Sequence, residues 1–274
     1  WRCRKKNKAE MESIYQALAE LEKRGGAGVV CTIMNTHGST PRHAGSKMLV
    51  YPDGSFIGTV GGGEVENRVL QEARGALEDG KNRVLHYNMS NPQAGDPGIC
   101  GGQLDIFVEP ILPKPVVVIV GAGHVGKAVA HLAKWLDFRV VISDDRPELC
   151  TPEENPDGDL YLSVPMQEIP QHIEMNRFTY LLLTTRGSNV DIEGLPALLR
   201  QPVGYIGVIG SRRRWITTRK GILESTDITE AELDRVHSPI GLELKAETPE
   251  EIAVSILAEI IMVQNGGTGK SMKQ

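Results

Sequence analysis

Apolar positions along this chain fall into two regimes, spaced and alternating before residue 110 and gathered in continuous runs after it. In the first regime Ile14, Leu18 and Leu21 recur at helical spacing among charged residues, and Gly25-Gly26 closes the run, which predicts an amphipathic helix. Gly28 to Met34 (GVVCTIM) is apolar, β-branched and bounded by glycine, the pattern of a buried strand. Lys47 to Tyr51 and Phe56 to Val60 flank Pro52-Asp53-Gly54-Ser55 and predict a hairpin. A helix is expected from about Glu64 to Glu78, with Val65, Val69 and Ala73 on one face, followed by strands over Arg83–Tyr87 and Gln103–Glu109.

Pro110 to Pro115 holds three prolines in six residues, which predicts an extended linker and sets the boundary between domains spanning 1–112 and 113–274. Val116 to Val120 (VVVIV) then reads as a central parallel strand covered on both faces. Val125, Val129, Leu132 and Leu136 mark the helix after it, and Arg139–Ser143, Leu160–Val164, Thr179–Thr185 and Tyr205–Ile209 are further strand candidates. Alternation of this kind implies βαβ units. The expected fold is an N-terminal mixed α/β domain followed by a Rossmann-like, doubly wound parallel sheet. A last helix from about Pro249 to Gln264 has a capping-box start in Thr248-Pro-Glu-Glu251, and Asn265 to Gln274 reads as a frayed tail.

Composition adds one feature to this picture. Glycine is about 11% of the chain (30/274), against an average of roughly 7%, so glycine is concentrated where backbone turns or approaches a ligand. A net charge of −5 argues against nucleic acid as a partner. The basic start Trp1 to Lys6 has no apolar segment after it, so a secretory signal is not expected, and no apolar run is long enough to span a membrane. Cys3, Cys31, Cys100 and Cys150 are far apart, as suits reduced thiols in a cytoplasmic protein better than a disulfide framework or a zinc site.

The glycines have addresses. Gly121, Gly123 and Gly126 form a GxGxxG between a buried strand and an amphipathic helix, with His124 at a variable position. A helix N-terminus there offers N–H groups to phosphate. Asp144, at the end of the next strand, can accept from ribose hydroxyls, which favours NAD, while Arg146 nearby keeps NADP open. A Rossmann unit serving only as a dimerisation scaffold fits the same residues. In the first domain, Thr36 to Arg42, Gly61-Gly62-Gly63-Glu64 and Asp96 to Gly102 are loops of small and polar residues. Gly61 to Gly63 open a helix and can hold an anion, or Glu64 satisfies the helix dipole itself; Glu64 is also a candidate catalytic carboxylate. Cys100, followed by Gly101-Gly102, is either an accessible soft ligand or an unreactive thiol in a turn, and Cys31 reads as a small hydrophobe. Arg212, ahead of Arg213 and Arg214, can clamp phosphate or carboxylate, and His237 in His-Ser-Pro-Ile-Gly is a general acid/base or a capped turn residue. GAGHVG with Asp144 also fits an NAD(P)-dependent oxidoreductase, but the chain lacks a Tyr-x-x-x-Lys catalytic pair.

Taken in order, GSTPRHAGSKMLV (38–50), GTVGGGEVE (58–66), ICGGQLDIFVEP (99–110), VVIVGAGHVGKAVAHLA (117–133), YIGVIGSRRR (205–214) and HSPIGLELKAETPEEIAVSILAEI (237–260) resemble the xanthine dehydrogenase accessory factor (XdhC/CoxI) family. The resemblance implies a maturation factor rather than a stand-alone enzyme. Such a factor binds molybdenum cofactor (molybdopterin), assists its sulfuration and delivers it to xanthine dehydrogenase or a related molybdenum hydroxylase. It implies Cys100 as the molybdenum-facing ligand with Gly101 and Gly102, Gly61 to Gly63 as a second wall, a cysteine desulfurase as a further partner, and a homodimer. One departure stands out: Thr184-Thr185 runs into Arg186-Gly187-Ser188-Asn189-Val190-Asp191, where the family carries a histidine-bearing loop before an aspartate. Asp191 lines up with the aspartate, but Arg186 replaces the histidine, which argues against an acid/base or metal role at that loop.

Overall fold

The computed structural model describes residues 13–89 and 101–273, and the chain parts into two compact units between Pro113 and Lys114. In the first unit α1 (Ile14–Lys23) starts from a capping box in which Ser13 and Gln16 satisfy each other's backbone N–H groups. Then follow β1 (Gly28–His37), β2 (Lys47–Val50), β3 (Phe56–Gly58), α2 (Gly63–Asp79), β4 (Arg83–Asn88) and β5 (Gln103–Ile111). The strands form one sheet in the order β3-β2-β1-β5-β4, with every neighbouring pair antiparallel. The β2–β3 turn closes as the Asp53 carboxylate accepts from the Ser55 backbone N–H at 2.9 Å and Gly54 takes a φ of 81°.

Alternation decides the two faces of this sheet. Val29, Cys31 and Ile33 of β1 turn toward α2, where Val65, Val69, Ala73 and Ala76 complete a core. Val30 and Leu49 turn the other way, onto Ala17 and Leu21 of α1. β1 outruns the buried segment its sequence predicts: after a register shift between Ile33 and Asn35, the ladder continues to His37 opposite Gln103. The proline-rich linker is correspondingly shorter than expected, because Pro110 and Ile111 belong to β5, opposite Val29 and Gly28. Proline is tolerated there because β4 begins at Arg83, opposite Val108, so beyond that point β5 has a neighbour on one side only.

The second unit runs β6 (Val116–Val120), α3 (His124–Trp135), β7 (Arg139–Ser143), β8 (Leu160–Leu162), β9 (Thr179–Leu183), α4 (Ser188–Leu199), β10 (Tyr205–Val208), α5 (Arg212–Ser225), α6 (Glu230–Leu233), β11 (Val236–His237) and α7 (Pro249–Asn265). All its strands are parallel, in the order β8-β7-β6-β9-β10-β11. The chain therefore starts at the centre, winds out through β7 and β8, and returns to the other side of β6, which makes the unit doubly wound. The continuous apolar runs serve both faces. Val117, Ile119, Val140 and Ile142 pack with Val129 and Ala133 of α3 and Ile256 and Ile260 of α7, while Val118, Val120 and Leu183 pack with Leu195 and Leu198 of α4 and Ile222 of α5.

Candidate functional site

Strand order reverses between β6 and β9, so the connections leaving the carboxyl ends of these strands run to opposite sides and leave a crevice. A cleft of about 290 Å³ occupies that edge, walled by the ends of β6 (Val120, Gly121) and β7 (Ser143 to Arg146), by Val164 to Gln167, and by Thr185, Arg186, Val190 and Glu193. Two glycines of the GxGxxG shape the turn beneath it. Gly121 has a φ of 113°, and a Cβ there would meet the Thr184 carbonyl oxygen at 2.5 Å; a Cβ on Gly126 would meet the Gly121 carbonyl oxygen at 2.1 Å. Gly123 differs, with a φ of −74° and nothing within 4 Å of a Cβ. Its freedom is space for something to approach. α3 starts at Gly123 with neither a capping side chain nor an acidic residue in the first turn, so its N–H groups and positive dipole end stay available to an anion. His124, at the first helical position, is solvent-exposed. Ser143 Oγ, fully buried in the cleft wall, is without a hydrogen-bond partner among the described residues. The glycines, the bare helix start and this orphan hydroxyl fit a nucleotide.

Asp144 does not stand open to ribose hydroxyls. Its carboxylate accepts from Arg146 N (3.0 Å), Nε (2.9 Å) and Nη2 (2.9 Å) and from Ala122 N (2.8 Å), and it is 4% exposed. Burial raises the Asp144 pKa, but these donors outweigh it and hold the carboxyl below its ordinary value. One residue on, Asp145 pairs with Arg186 at 2.7 Å, joining the end of β7 to the loop after β9. In the first turn of α4, Asp191 is fully buried, accepting from Thr185 Oγ1 and from Arg214 Nη2 at 2.7 Å. Burial raises Asp191 despite these bonds. Arg214 is thus tied into the structure, while Arg212, the arginine the sequence singles out, is exposed at the start of α5.

His237 lies at the end of the edge strand β11, outside the residues that line the cleft. Its Nδ1 is 3.0 Å from Glu259 Oε1, and Glu259 also accepts from Tyr205 OH and, at 2.7 Å, from the Gly241 backbone N–H. The Tyr205 and His237 rings stack at 4.5 Å. Burial raises Glu259, but the three donors together hold it below its ordinary value; the same burial and the Glu259 carboxylate push the Tyr205 hydroxyl up. Glu259 was invisible from sequence, being on α7, 22 residues from its partner on β11. Arg146 lies within two residues of Asp144, a spacing that already signals a local pair.

In the first unit, three glycine-bearing loops converge at one end of the sheet. A Cβ on Gly38 would meet the Gly101 carbonyl oxygen and Gly102 Cα, both at 3.3 Å, and a Cβ on Gly102 would meet the Ser39 carbonyl oxygen at 2.3 Å. Gly61 in turn faces Pro41 Cγ at 3.1 Å. Residues 38–41, 61–63 and 101–102 are therefore neighbours. Gly61, Gly62 and Gly63 all have positive φ (150°, 92° and 62°), and side chains at the last two would meet open space. The Gly61 N–H donates to Thr59 Oγ1 at 3.2 Å and the Gly101 N–H to the Met89 carbonyl at 3.0 Å, while the N–H groups of Gly62 and Gly63 lie at the start of α2, which has no side-chain cap among the described residues and carries Glu64 and Glu66 in its first turn. Glu64 is exposed in that first turn and pairs with Arg68 at 3.1 Å. Cys100 lies outside the described residues. Cys31 and Cys150 are buried, and burial pushes the Cys31 thiol up to about 12, so neither offers a thiolate. No helix among the described residues is long and apolar enough to cross a membrane.

Both units match known proteins. A family model described as the XdhC Rossmann domain matches residues 117–260, and one described as the XdhC and CoxI family matches residues 21–88. The Escherichia coli protein YqeB is 35% identical over 95% of this chain and 48% of its own length. A Bacillus subtilis protein, named as a probable xanthine dehydrogenase subunit, is 31% identical over 58% of this chain and 46% of its own. The chain thus spans about half the length of these two relatives. The Escherichia coli molybdenum cofactor insertion chaperone PaoD is 22% identical over 92% of this chain and 88% of its own length. A crystal structure described as a xanthine dehydrogenase from Bacillus halodurans shares the fold, with a TM-score of 0.50 at 22% identity over 96% of this chain and 98% of that one.

Proposed function

Because this chain belongs to the XdhC and CoxI family, we propose that it is an accessory protein that carries molybdenum cofactor to a molybdenum hydroxylase, with a nucleotide bound in its Rossmann unit. The observation that carries this reading is the convergence of residues 38–41, 61–63 and 101–102. Small residues there let backbone come close to a bulky cargo, and the N–H groups of Gly62 and Gly63 suit its phosphate end. Cys100, adjacent in sequence to Gly101, supplies a soft sulfur for the molybdenum end. The name of the relative PaoD, an insertion chaperone for the same cofactor, agrees with this role. Sulfuration of the cargo with a cysteine desulfurase, delivery to a xanthine dehydrogenase, a cytoplasmic setting and a homodimer complete the reading.

The alternative of an NAD(P)-dependent oxidoreductase draws on the same cleft, but His237, the acid/base candidate of the second unit, is not among its lining residues. The test is to purify the chain from cells that make the cofactor, denature it and assay the released pterin. Pterin in the wild type and its loss in a folded Cys100→Ala variant is the expected result. A wild-type protein free of pterin under those conditions would sink the proposal.

A further inference from the structure

We propose that the Rossmann cleft selects a nucleotide whose ribose carries a phosphate monoester, of the NADP type, over one with free ribose hydroxyls, and that Arg146 is the group that reads the phosphate. This rests on the nucleotide-binding reading of the cleft and adds its specificity. In a dinucleotide fold, the carboxylate ending the second strand serves ribose by accepting from its hydroxyls. Asp144 holds that position at the end of β7, and both its oxygens are already filled. Oδ1 accepts from Arg146 N and Nε, and Oδ2 accepts from Arg146 Nη2 and Ala122 N. A carboxylate oxygen has two lone pairs, so no acceptor capacity is left for a ribose hydroxyl. Binding NAD in the usual way would require breaking a two-point ion pair on a side chain that is 2% exposed.

The same pair prepares the guanidinium for the opposite chemistry. Asp144 fixes Arg146 through Nε and one Nη2 hydrogen, which leaves the Nη1 hydrogens and the second Nη2 hydrogen to act as donors. The Arg146 side chain is 39% exposed and lines the cleft, so these donors are within reach of a ligand. A guanidinium held in one orientation suits a phosphate's paired oxygens. The other carboxylates of the cleft wall each make a single contact there and do not hold the strand-end position that serves ribose. Asp145 is paired with Arg186, and Glu193 accepts from Gln167 at 3.3 Å. An anion in this cleft meets the free donors of Arg146, with Arg186 and the buried Ser143 Oγ, an unspent polar group, in the same wall.

The experiment is calorimetric titration of the full chain with NADP⁺ and with NAD⁺, at low and high salt. The expected result is that NADP⁺ binds tighter by about tenfold or more, as a charge-assisted contact implies, and that salt narrows the gap. Arg146→Ala removes the phosphate reader and frees Asp144 for ribose hydroxyls, so it should erase the preference and strengthen NAD⁺ binding. Because that variant leaves Asp144 without its partner, Arg146→Lys, which keeps the charge but not the fork, is measured beside it, with thermal unfolding of both. Arg146→Lys should reduce the preference. Equal or tighter binding of NAD⁺ by the wild type overturns the inference and leaves the nucleotide reading intact. Retention of the full preference in a folded variant overturns the role of Arg146. Binding of neither nucleotide overturns the inference and the nucleotide reading together.

Discussion

Single residues of the Rossmann turn separate structural demands from ligand demands. Gly121 and Gly126 are fixed by their own backbone surroundings, so Gly121→Ala and Gly126→Ala should lower the unfolding midpoint whether or not a nucleotide is present. Gly123 has an ordinary φ and empty space ahead of it, so Gly123→Val should fold normally and lose nucleotide affinity in the same titration. Normal affinity in that variant would rule out phosphate approach at the α3 N-terminus. Asp191 and Arg214 make a second residue-scale test. Arg214→Ala leaves a fully buried carboxylate unmatched and should cost about 3–5 kcal/mol in denaturant unfolding, whereas the double variant with Asp191→Asn should recover much of that loss. The carboxylates of Asp144 and Glu259 contribute to the acid limb. Their folded pKa values lie below the ordinary ones of 3.8 and 4.5, so the stability they contribute is complete above those values and is lost as pH falls through the folded ones. Asp144→Asn should lower stability at neutral pH and flatten the fall below about pH 4. An unchanged acid limb would mean that the carboxylate is not the titrating group.

At the level of elements, legibility followed burial and local chemistry. VVVIV could be read as a central strand because both of its faces are covered, and α7 could be read from Thr248, whose capping box the structure contains. Thr248→Ala should cost about 1 kcal/mol, read as a shift in the unfolding midpoint. α4 and α5 were not legible as helices. SNVDIEGLPALL carries Gly194 and Pro196 within the helix, and it is tertiary packing of Gly194 against Met166 and of Leu195 and Leu198 on the sheet that makes it helical. RRRWITTRKGILES is too polar for a periodic stripe, and only Thr218 and Ile222 are buried. The end of β1 escaped notice for the opposite reason, since its last residues are held by backbone pairing with Gln103 to Asp105 and not by burial. Motif residues named the cleft, but its partners were hidden. Ser143 ends an apolar strand and Arg186 comes from a loop 41 residues beyond Asp145, positions that only the doubly wound topology brings together.

For the whole molecule, the excess of glycine resolves into two sets of loops, one in each unit. In the second unit they shape a cleft at the strand-order reversal, and in the first they bring three loops together beside the sequence position of Cys100. The carrier reading joins these as cargo site and nucleotide site of one accessory protein, and its central claim is delivery. The direct measurement is to mix the purified, cofactor-loaded chain with a cofactor-free molybdenum hydroxylase, separate the two, and follow pterin in both together with hydroxylase activity. The account predicts that pterin leaves this chain and appears in the hydroxylase as activity rises, and that a folded Cys100→Ala chain supports neither. Pterin that stays on the chain, or activation no better than free cofactor gives, would contradict it.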